Sequence, residues 1–298
     1  MADITGNMKI PVLSVGELVK ETVPLYAAAV KAKDGLKRLP SVFLWGPPGI
    51  GKSDAVRQIS EGLGRASGRK TNVTDIRLLL FSPVDLRGIP MADSERQFTE
   101  WLRPKIFDLD PSEDTVNFLF LDELSAAPQS IQAAAYQITL DHTVGEHRLP
   151  DNTIVIAAGN RVTDRSVAFR MPNALANRLM HFEIKADFES WRSWALSHGV
   201  NAYVMGYLTY DSSRLHESVS GSDDVAFPTP RSWMFVSDIL NSMPETPPEK
   251  LFHLISGCIG TGTATEFAAW CRSWKHIAPL EDIFGKGSAS LPKTTDEM

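Results

Sequence analysis

The chain contains few cysteines and no long hydrophobic run, and its charge balance is not basic. Two cysteines among 298 residues exclude a disulfide-rich secreted scaffold. The apolar stretches fall far short of the roughly 18 residues that a membrane-spanning helix needs, so we expect no membrane insertion. A net charge of −6 disfavours a nucleic-acid partner, although a local basic stripe would escape this argument. Residues 1–4 lack the features of a signal peptide, which predicts a cytoplasmic protein.

A glycine-rich segment between a predicted strand and a predicted helix is the most informative feature of the sequence. It matches the pattern G-x-x-x-x-G-K-[ST], and its residues are Gly46, Pro47, Pro48, Gly49, Ile50, Gly51, Lys52 and Ser53. An apolar run at 41–45 precedes it, and residues 54–59 follow with helical spacing. This order aims backbone N–H groups and a helix N-terminus at an anion. The segment, with Asp54, predicts a nucleotide site in which Lys52 contacts the phosphates and Ser53 binds Mg²⁺.

A second motif is an apolar run that ends in two carboxylates. Residues 116–121 are typical of a parallel strand buried on both faces, and Asp122 and Glu123 follow them. Open α/β sheets bind their ligands at the carboxyl ends of such strands. We expect Asp122 to hold hydrated Mg²⁺ and Glu123 to polarise the water that attacks the γ-phosphate. Together the two motifs predict a nucleotide hydrolase with a nucleotide and Mg²⁺ as ligands.

One arrangement of cysteine and histidine invites a different interpretation. His253, Cys258, Cys271 and His276 follow a symmetrical spacing, but zinc sites favour cysteines two to four residues apart in a turn. These cysteines lie among apolar residues on predicted helices, where a small buried side chain is the simpler interpretation. We therefore predict no zinc site.

The apolar runs divide the chain into an α/β part and a helical part. Residues 14–33 are predicted to be helical, with a kink or break at Pro24. Strands are predicted at 41–45, 75–81, 116–121, 153–158 and 181–184, with a helix at 129–140. Strands that alternate with helices predict a mostly parallel, five-stranded sheet with helices on both faces. The predicted domains are an α/β nucleotide-binding domain with an N-terminal helix (1–186), a smaller all-helical domain (187–284) and a flexible tail (285–298).

The order of these motifs resembles that of AAA+ ATPases, and within them the MoxR group. The resemblance covers about residues 40–280 and implies a P-loop NTPase fold followed by a helical lid. An apolar strand at 154–158 leads to Asn160, which resembles the family's sensor-1 residue. In the family this residue lies beside the acidic strand and orients water at the γ-phosphate. An asparagine that merely opens a turn is the simpler alternative.

Two arginines also occupy positions that matter in this family. Arg178 stands at the position where the family carries its arginine finger. Both flanking residues differ from those usual in the family, and Arg170 and Arg165 are alternative candidates for the finger. Arg231 follows Pro230 and resembles the sensor-2 arginine at the start of a lid helix. The resemblance implies that Arg231 reaches the phosphates of its own subunit and that Arg178 reaches those of a neighbour.

Two further segments support the MoxR assignment. Residues 83–101 resemble the helix-2 insert of this clade, which is often directed at the central pore of a ring. Residues 141–150 resemble the β-hairpin that precedes the sensor-1 strand in this clade. Surface loops without a role are the alternative for both segments.

The resemblance implies a homo-oligomeric ring, most often a hexamer, because a finger from a neighbour completes each site. It also implies a chaperone-like remodeller or activator of a client protein, which in this group often carries a von Willebrand factor A domain. A nucleic-acid translocating motor is the alternative, disfavoured because acidic residues offset the arginines of the insert. A small-molecule kinase shares the phosphate loop but does not require Glu123, Asn160 and Arg231 or a helical lid. Nothing in the sequence names the client.

Overall fold

The computed structural model describes residues 10–161, 171, 173–217 and 225–274. The chain divides into two compact units, and the division falls between Lys185 and Ala186. The first unit is an α/β unit and the second is helical. Arg165, Arg170, His276 and the predicted tail at 285–298 lie outside the described residues.

The first unit contains ten strands and five α-helices within its described residues. The strands are β1 (Val12–Leu13), β2 (Val42–Trp45), β3 (Lys70–Arg77), β4 (Ile89–Ala92), β5 (Thr99–Leu102), β6 (Thr115–Asp122), β7 (Thr143–Val144), β8 (His147–Arg148), β9 (Thr153–Gly159) and β10 (Met180–Ile184). The helices are α1 (Val15–Lys31), α2 (Lys52–Ser67), α3 (Pro83–Arg87), α4 (Gln129–Asp141) and α5 (Asn173–Ala176).

The main sheet has the strand order β1-β10-β2-β9-β6-β3, and every neighbouring pair is parallel. Strands β2 and β9 are buried along their whole length, as expected for central strands covered by helices on both faces. This confirms the predicted parallel sheet flanked by helices. The centre of the sheet places β9 between β2 and β6, so the carboxyl ends of these three strands meet at one edge.

The sheet has six strands, and the prediction of five was wrong in this respect. The additional strand, β1, pairs Val12 with Glu183 and Leu13 with Ile184 of β10. A strand of two residues shows no period-2 pattern, so only its pairing partner identifies it.

Strand β3 begins and ends earlier than the predicted 75–81. The prediction followed an apolar run, whereas the strand follows its ladder with β6, from Lys70 opposite Thr115 to Arg77 opposite Asp122. Three residues of the apolar run, Leu78–Leu80, instead form a 3₁₀ turn. As an edge strand with polar side chains, β3 has no hydrophobic signal that marks its true bounds.

Helix α1 continues through Pro24, so the predicted break does not occur. Proline removes one backbone hydrogen bond from the helix interior. Burial of Leu18, Tyr26 and Val30 on one side of α1 compensates for this loss. A capping box also stabilises the start of the helix, where Ser14 accepts from the Glu17 N–H and the Glu17 side chain accepts from the Ser14 N–H.

The second unit consists of helices in its described residues. They are α6 (Phe188–Ser197), α7 (Ala202–Tyr210), α8 (Pro230–Ser242), α9 (Phe252–Ile259) and α10 (Thr261–Trp274). Trp233 of α8 is fully buried, and its ring lies 5.5 Å from Tyr207 and 5.6 Å from Phe267. Its indole N–H donates to the Arg214 carbonyl at 2.8 Å. No helix in the described part of the chain is long and apolar enough to cross a membrane.

Replacing Trp233 tests this core. We expect Trp233→Ala to lower the free energy of unfolding of the helical unit by about 3–5 kcal/mol, because it leaves a cavity and an unpaired carbonyl. Phe235→Ala is the matched control, since Phe235 lies on the same helix with 51% of its surface exposed, and its effect should stay within about 0.5 kcal/mol. Urea denaturation followed by circular dichroism measures both. Equal effects would contradict the placement of Trp233 at the centre of the unit.

Candidate functional site

The predicted nucleotide-binding residues gather at the carboxyl edge of the central strands. The glycine-rich segment follows β2, Asp122 ends β6, and Asn160 follows β9. The Gly46 N–H donates to the Gly159 carbonyl at 3.3 Å, which joins the start of the segment to the end of β9. The structure thus brings together the three motifs that are far apart in the sequence.

The glycine-rich segment turns the chain from β2 into α2. Gly51 precedes α2 with φ of +104°, a conformation that a side chain disfavours. A Cβ atom on Gly46 would lie only 3.0 Å from the Ile184 carbonyl oxygen, so the loop also needs glycine for close packing. Because Gly51 has no side chain to cap α2, the first N–H groups of that helix are left to bind an anion.

Lys52 is held inside this turn with only 8% of its surface exposed. Its ammonium group donates to the carbonyl oxygens of Gly46 at 2.6 Å and Pro47 at 3.0 Å. It also donates to Oδ1 of Asn160 at 3.0 Å. These three acceptors are neutral oxygen atoms, and they orient the ammonium group.

The remaining residues of the predicted nucleotide site lie around Lys52. Pro48 is exposed, Ile50 is buried, and Gly49 adopts φ of +79°. Asp54 lies in the first turn of α2, where its carboxylate accepts from Gln58 Nε2 at 2.9 Å. That hydrogen bond lies within α2, and the contribution of Asp54 to nucleotide binding stays a prediction.

Ser53 and Asp122 place two side-chain oxygen atoms close together at this edge. The Ser53 hydroxyl donates to Oδ2 of Asp122 at 3.3 Å. Mg²⁺ prefers oxygen ligands and is commonly held by one or two protein groups together with substrate phosphates. Within the described residues there is no cluster of three His, Cys, Asp or Glu side chains that could hold a metal alone. The pair therefore fits Mg²⁺ that arrives with a nucleotide.

The charge of Asp122 affects a neighbouring carboxyl group on the edge strand. Partial burial, and then the Asp122 carboxylate, raise the pKa of Asp75 above its ordinary value. Arg77 and Arg57 act in the opposite direction. Asp75 and Asp122 therefore lie close enough for their charges to interact.

Glu123 adopts a left-handed backbone conformation with φ of +61°. This conformation costs a residue with a side chain about 1–3 kcal/mol, and such residues often occur at functional sites. Four hydrogen bonds surround this turn. Glu123 N–H donates to Asp122 Oδ1 at 2.9 Å, and Leu124 N–H donates to the Ala158 carbonyl at 2.8 Å. The Glu123 carbonyl accepts from the N–H groups of Ala126 at 3.1 Å and Ala127 at 3.2 Å. The turn places Glu123 directly beside the Asp122 carboxylate.

The sequence of residues 42–188 matches the profile of the family described as ATPase family associated with various cellular activities (AAA). This part of the chain is an AAA ATPase family domain. The AAA domain begins at β2 and contains the glycine-rich segment, Asp122, Glu123 and Asn160. We call the edge of the sheet formed by these residues the phosphate edge. AAA domains are P-loop modules that generally bind nucleotides.

Several solved structures are similar to this chain at low sequence identity. A putative ATPase from Cytophaga hutchinsonii is 19% identical, with 61% of this chain and 53% of that chain covered and a TM-score of 0.41. The C. elegans PCH-2 structure is 14% identical, covers 89% and 71%, and has a TM-score of 0.41. A mutant of Thermotoga maritima RuvB is 14% identical, covers 85% and 71%, and has a TM-score of 0.43. The chain spans about half the length of the Cytophaga protein. No curated protein matches it.

Arg178 of the AAA domain lies at the opposite edge of the sheet from the phosphate loop. It is exposed and comes just before β10, whose first residue, Met180, is bonded to Ser41 at the start of β2. Strand β2 separates Ser41 from Gly46, which corresponds to roughly 16 Å of extended chain. Arg178 is therefore not part of the phosphate edge of its own subunit.

The segment that leads to Arg178 is fixed by a histidine. Nδ1 of His181 accepts from the indole N–H of Trp45 at 3.0 Å, and its Nε2 lies 2.8 Å from the Ala176 carbonyl. The first contact requires a neutral ring, in which Nε2–H donates to Ala176. His181 thus connects the end of β2 to the short helix before Arg178. Sequence patterns gave no indication of this link.

Arg231 belongs to the second unit, where it is exposed at the second position of α8. Thr229 and Ser232 form the cap that starts this helix, with Pro230 as its first residue. This agrees with the predicted position at a helix start, and its role as a phosphate sensor stays a prediction.

Ser125 is the main site residue that the sequence analysis missed. Its buried hydroxyl accepts from the Asn160 N–H at 2.9 Å and donates to the Asn160 carbonyl at 2.9 Å. It therefore anchors the end of β9 to the turn after Glu123. A single serine in a turn carries no sequence signal, so only the folded structure identifies this contact.

Ser125→Ala should destabilise the AAA domain. It removes both hydrogen bonds to the Asn160 backbone, and we expect a loss of about 1–3 kcal/mol in the free energy of unfolding. Ser130→Ala is the matched control, because Ser130 is exposed on α4. Chemical denaturation of the two variants beside the parent protein measures the difference. If both variants were as stable as the parent, Ser125 would not be the anchor of Asn160.

Proposed function

We propose that this chain is a MoxR-type AAA+ ATPase that hydrolyses ATP in a ring and uses the energy to remodel or activate a client protein. The observation that supports hydrolysis best is the pair of contacts between motifs, Lys52 with Asn160 and Ser53 with Asp122. These contacts bring a phosphate-binding cation, a water-positioning amide and a magnesium ligand pair to one edge. Glu123 stands next to them as a general base.

Binding uses the groups that turn the chain into α2. In this proposal the N–H groups at the start of α2 and the Lys52 ammonium hold the β- and γ-phosphates. Ser53 and Asp122 would hold Mg²⁺. When bound, Mg²⁺ neutralises charge on the phosphates.

Hydrolysis uses Glu123 and Asn160. The Glu123 carboxylate takes a proton from the attacking water as that water adds to the γ-phosphorus. The bond from the γ-phosphorus to the β–γ bridging oxygen breaks, so that ADP and phosphate are released. The Asn160 side-chain oxygen accepts from Lys52, which leaves its amide N–H₂ group to orient the same water or a γ-phosphate oxygen. Ser125 keeps the Asn160 backbone at a fixed distance from the Glu123 turn.

Ring formation follows from the position of Arg178. Phosphoryl transfer is commonly accelerated by an arginine at the developing charge, and the effect is about 10³–10⁵ in rate. Because Arg178 lies at the far edge of its own sheet, we assign it to the nucleotide of a neighbouring subunit. Each site is then completed by the next subunit, most simply in a hexamer.

The two hairpins support the assignment to the MoxR type. Residues 83–102 contain α3 and the antiparallel pair β4–β5, and β7–β8 form a second hairpin before β9. These correspond to the insert and the pre-sensor hairpin that the sequence resemblance implied. In our proposal Arg231 senses the nucleotide and the hairpins contact the client. In this proposal the chain acts in the cytoplasm, and a protein with a von Willebrand factor A domain is the kind of client that the MoxR resemblance implies.

Separate substitutions of Glu123 and Lys52 test the proposed chemistry. Glu123→Gln should bind ATP with nearly unchanged affinity but hydrolyse it at least about 10²-fold more slowly, because the general base is lost. Lys52→Ala should weaken ATP binding itself. Glu113→Gln, at an exposed glutamate ahead of β6, is the control and should behave as the parent protein. Phosphate release and equilibrium binding of a fluorescent ATP analogue measure the two effects. Unchanged turnover in Glu123→Gln would remove this residue from the mechanism.

A further inference from the structure

A small pocket opens at the amino edge of the main sheet, on the side away from the phosphate loop. Its volume is about 150 Å³, and its lining includes Ser41, His142 and Arg178. All of these residues precede a strand or end a helix on that side of the sheet. The volume lies well below the roughly 300–1,000 Å³ of pockets that enclose a drug-sized ligand, so the pocket suits a single small group.

The pocket carries a net positive charge. Its lining contains the cations Lys37, Arg148 and Arg178 and the acids Asp141 and Asp151, which leaves one positive charge in excess. Lys37 and Asp151 form an ion pair at 3.1 Å and so satisfy each other. Within the described part of the chain, neither Arg148 nor Arg178 has an ion pair or a side-chain hydrogen bond to another residue. Two guanidinium groups are therefore available to one small anion.

Arg148 is held in place by the hairpin β7–β8. It pairs with Thr143 across the hairpin, and the next residue, Leu149, donates its N–H to the His142 carbonyl at 2.8 Å. The Gln137 side chain donates to the Gly145 carbonyl at 3.1 Å and fixes the hairpin turn to α4. The backbone that carries Arg148 is thus tied to the sheet and to α4, while its side chain is exposed.

We propose that Arg148 and Arg178 together bind the terminal phosphate of the nucleotide held by a neighbouring subunit. The inference rests on the proposed function, and it adds Arg148 as a second catalytic arginine that acts across the subunit interface. Guanidinium groups bind phosphate oxygens through paired hydrogen bonds, and two of them match the charge that develops on the transferred phosphate. The distance along β2 excludes the nucleotide of the same subunit.

The hairpin gives this contact a mechanical consequence. His147, beside Arg148, has its Nε2 2.5 Å from the Trp101 carbonyl of β5. A Cβ atom on Gly145 would lie 2.8 Å from the Arg87 carbonyl, so the hairpin turn also packs closely on the end of α3. Arg148 therefore links the phosphate of one subunit to the insert of the next. Loss of that phosphate would act on the insert at residues 83–102 through the hairpin β7–β8.

Steady-state kinetics and assembly of the full chain test the proposal. Arg148→Ala should lower kcat at least about 10-fold and leave KM for ATP nearly unchanged, because the arginine acts on a neighbour's transition state. Arg148→Lys keeps the charge and should recover part of the rate. In sedimentation velocity with a non-hydrolysable ATP analogue, Arg148→Ala should need a several-fold higher protein concentration to assemble. Arg38→Ala is the control, since Arg38 is exposed next to Lys37 but does not line the pocket.

The outcomes separate this inference from the function on which it rests. Normal hydrolysis and assembly in Arg148→Ala, with activity lost only in Arg178→Ala, would overturn the role of Arg148 and leave the proposed function standing. A raised KM at unchanged kcat would also overturn it, since Arg148 would then stabilise the bound nucleotide and the transition state equally and would not be a catalytic arginine. A parent chain that hydrolyses no ATP would instead overturn the proposed function and this inference with it. Circular dichroism of both Arg148 variants checks that they fold.

Discussion

The hydrogen bond from the Lys52 ammonium to the Asn160 side chain joins the glycine-rich segment to the end of β9. Asn160 is bonded through its backbone to Ser125, and Ser125 follows the Asp122 and Glu123 pair. Asn160 thus connects Lys52 to the turn that carries Asp122 and Glu123. In the proposed mechanism, a phosphate bound at Lys52 acts on Glu123 through Asn160 and Ser125. The strained backbone of Glu123 depends on the same turn.

The common direction of the strands places two sets of proposed functional residues at opposite edges of the sheet. Parallel strands place Lys52, Asp122 and Asn160 at their carboxyl ends, while Arg148 and Arg178 lie where the strands begin. In an AAA domain built this way, the two sets of residues cannot meet on one nucleotide in one subunit. Our account therefore requires a neighbour, and it explains why the arginine pocket is small and positive while the phosphate edge contains carboxylates.

Local patterns in the sequence predicted the phosphate loop, the acidic strand and helix α4 well. The sequence signal for each of these elements lies within a few residues: a glycine turn, a buried apolar run or a helical period. Strand β1, the bounds of β3 and the role of Ser125 could not be predicted in this way, because each depends on a partner far along the chain. The arginine pocket is a similar case, since β7–β8, Ser41 and Arg178 come together only when the sheet forms. Arg165 and Arg170, the rival fingers, lie outside the described residues.

The central claim is that each nucleotide is hydrolysed by residues of two subunits, and a subunit-mixing measurement tests it most directly. Arg178→Ala subunits keep Glu123, and Glu123→Gln subunits keep Arg178, so a mixed ring contains junctions with both groups intact. The account predicts that the mixture hydrolyses ATP faster than either variant alone. A mixture of Arg178→Ala with the double variant that lacks both groups should stay inactive. If mixed rings form, as shown by subunit-exchange fluorescence, and the first mixture is no faster than its parents, the account of Arg178 as a residue acting across the interface is contradicted.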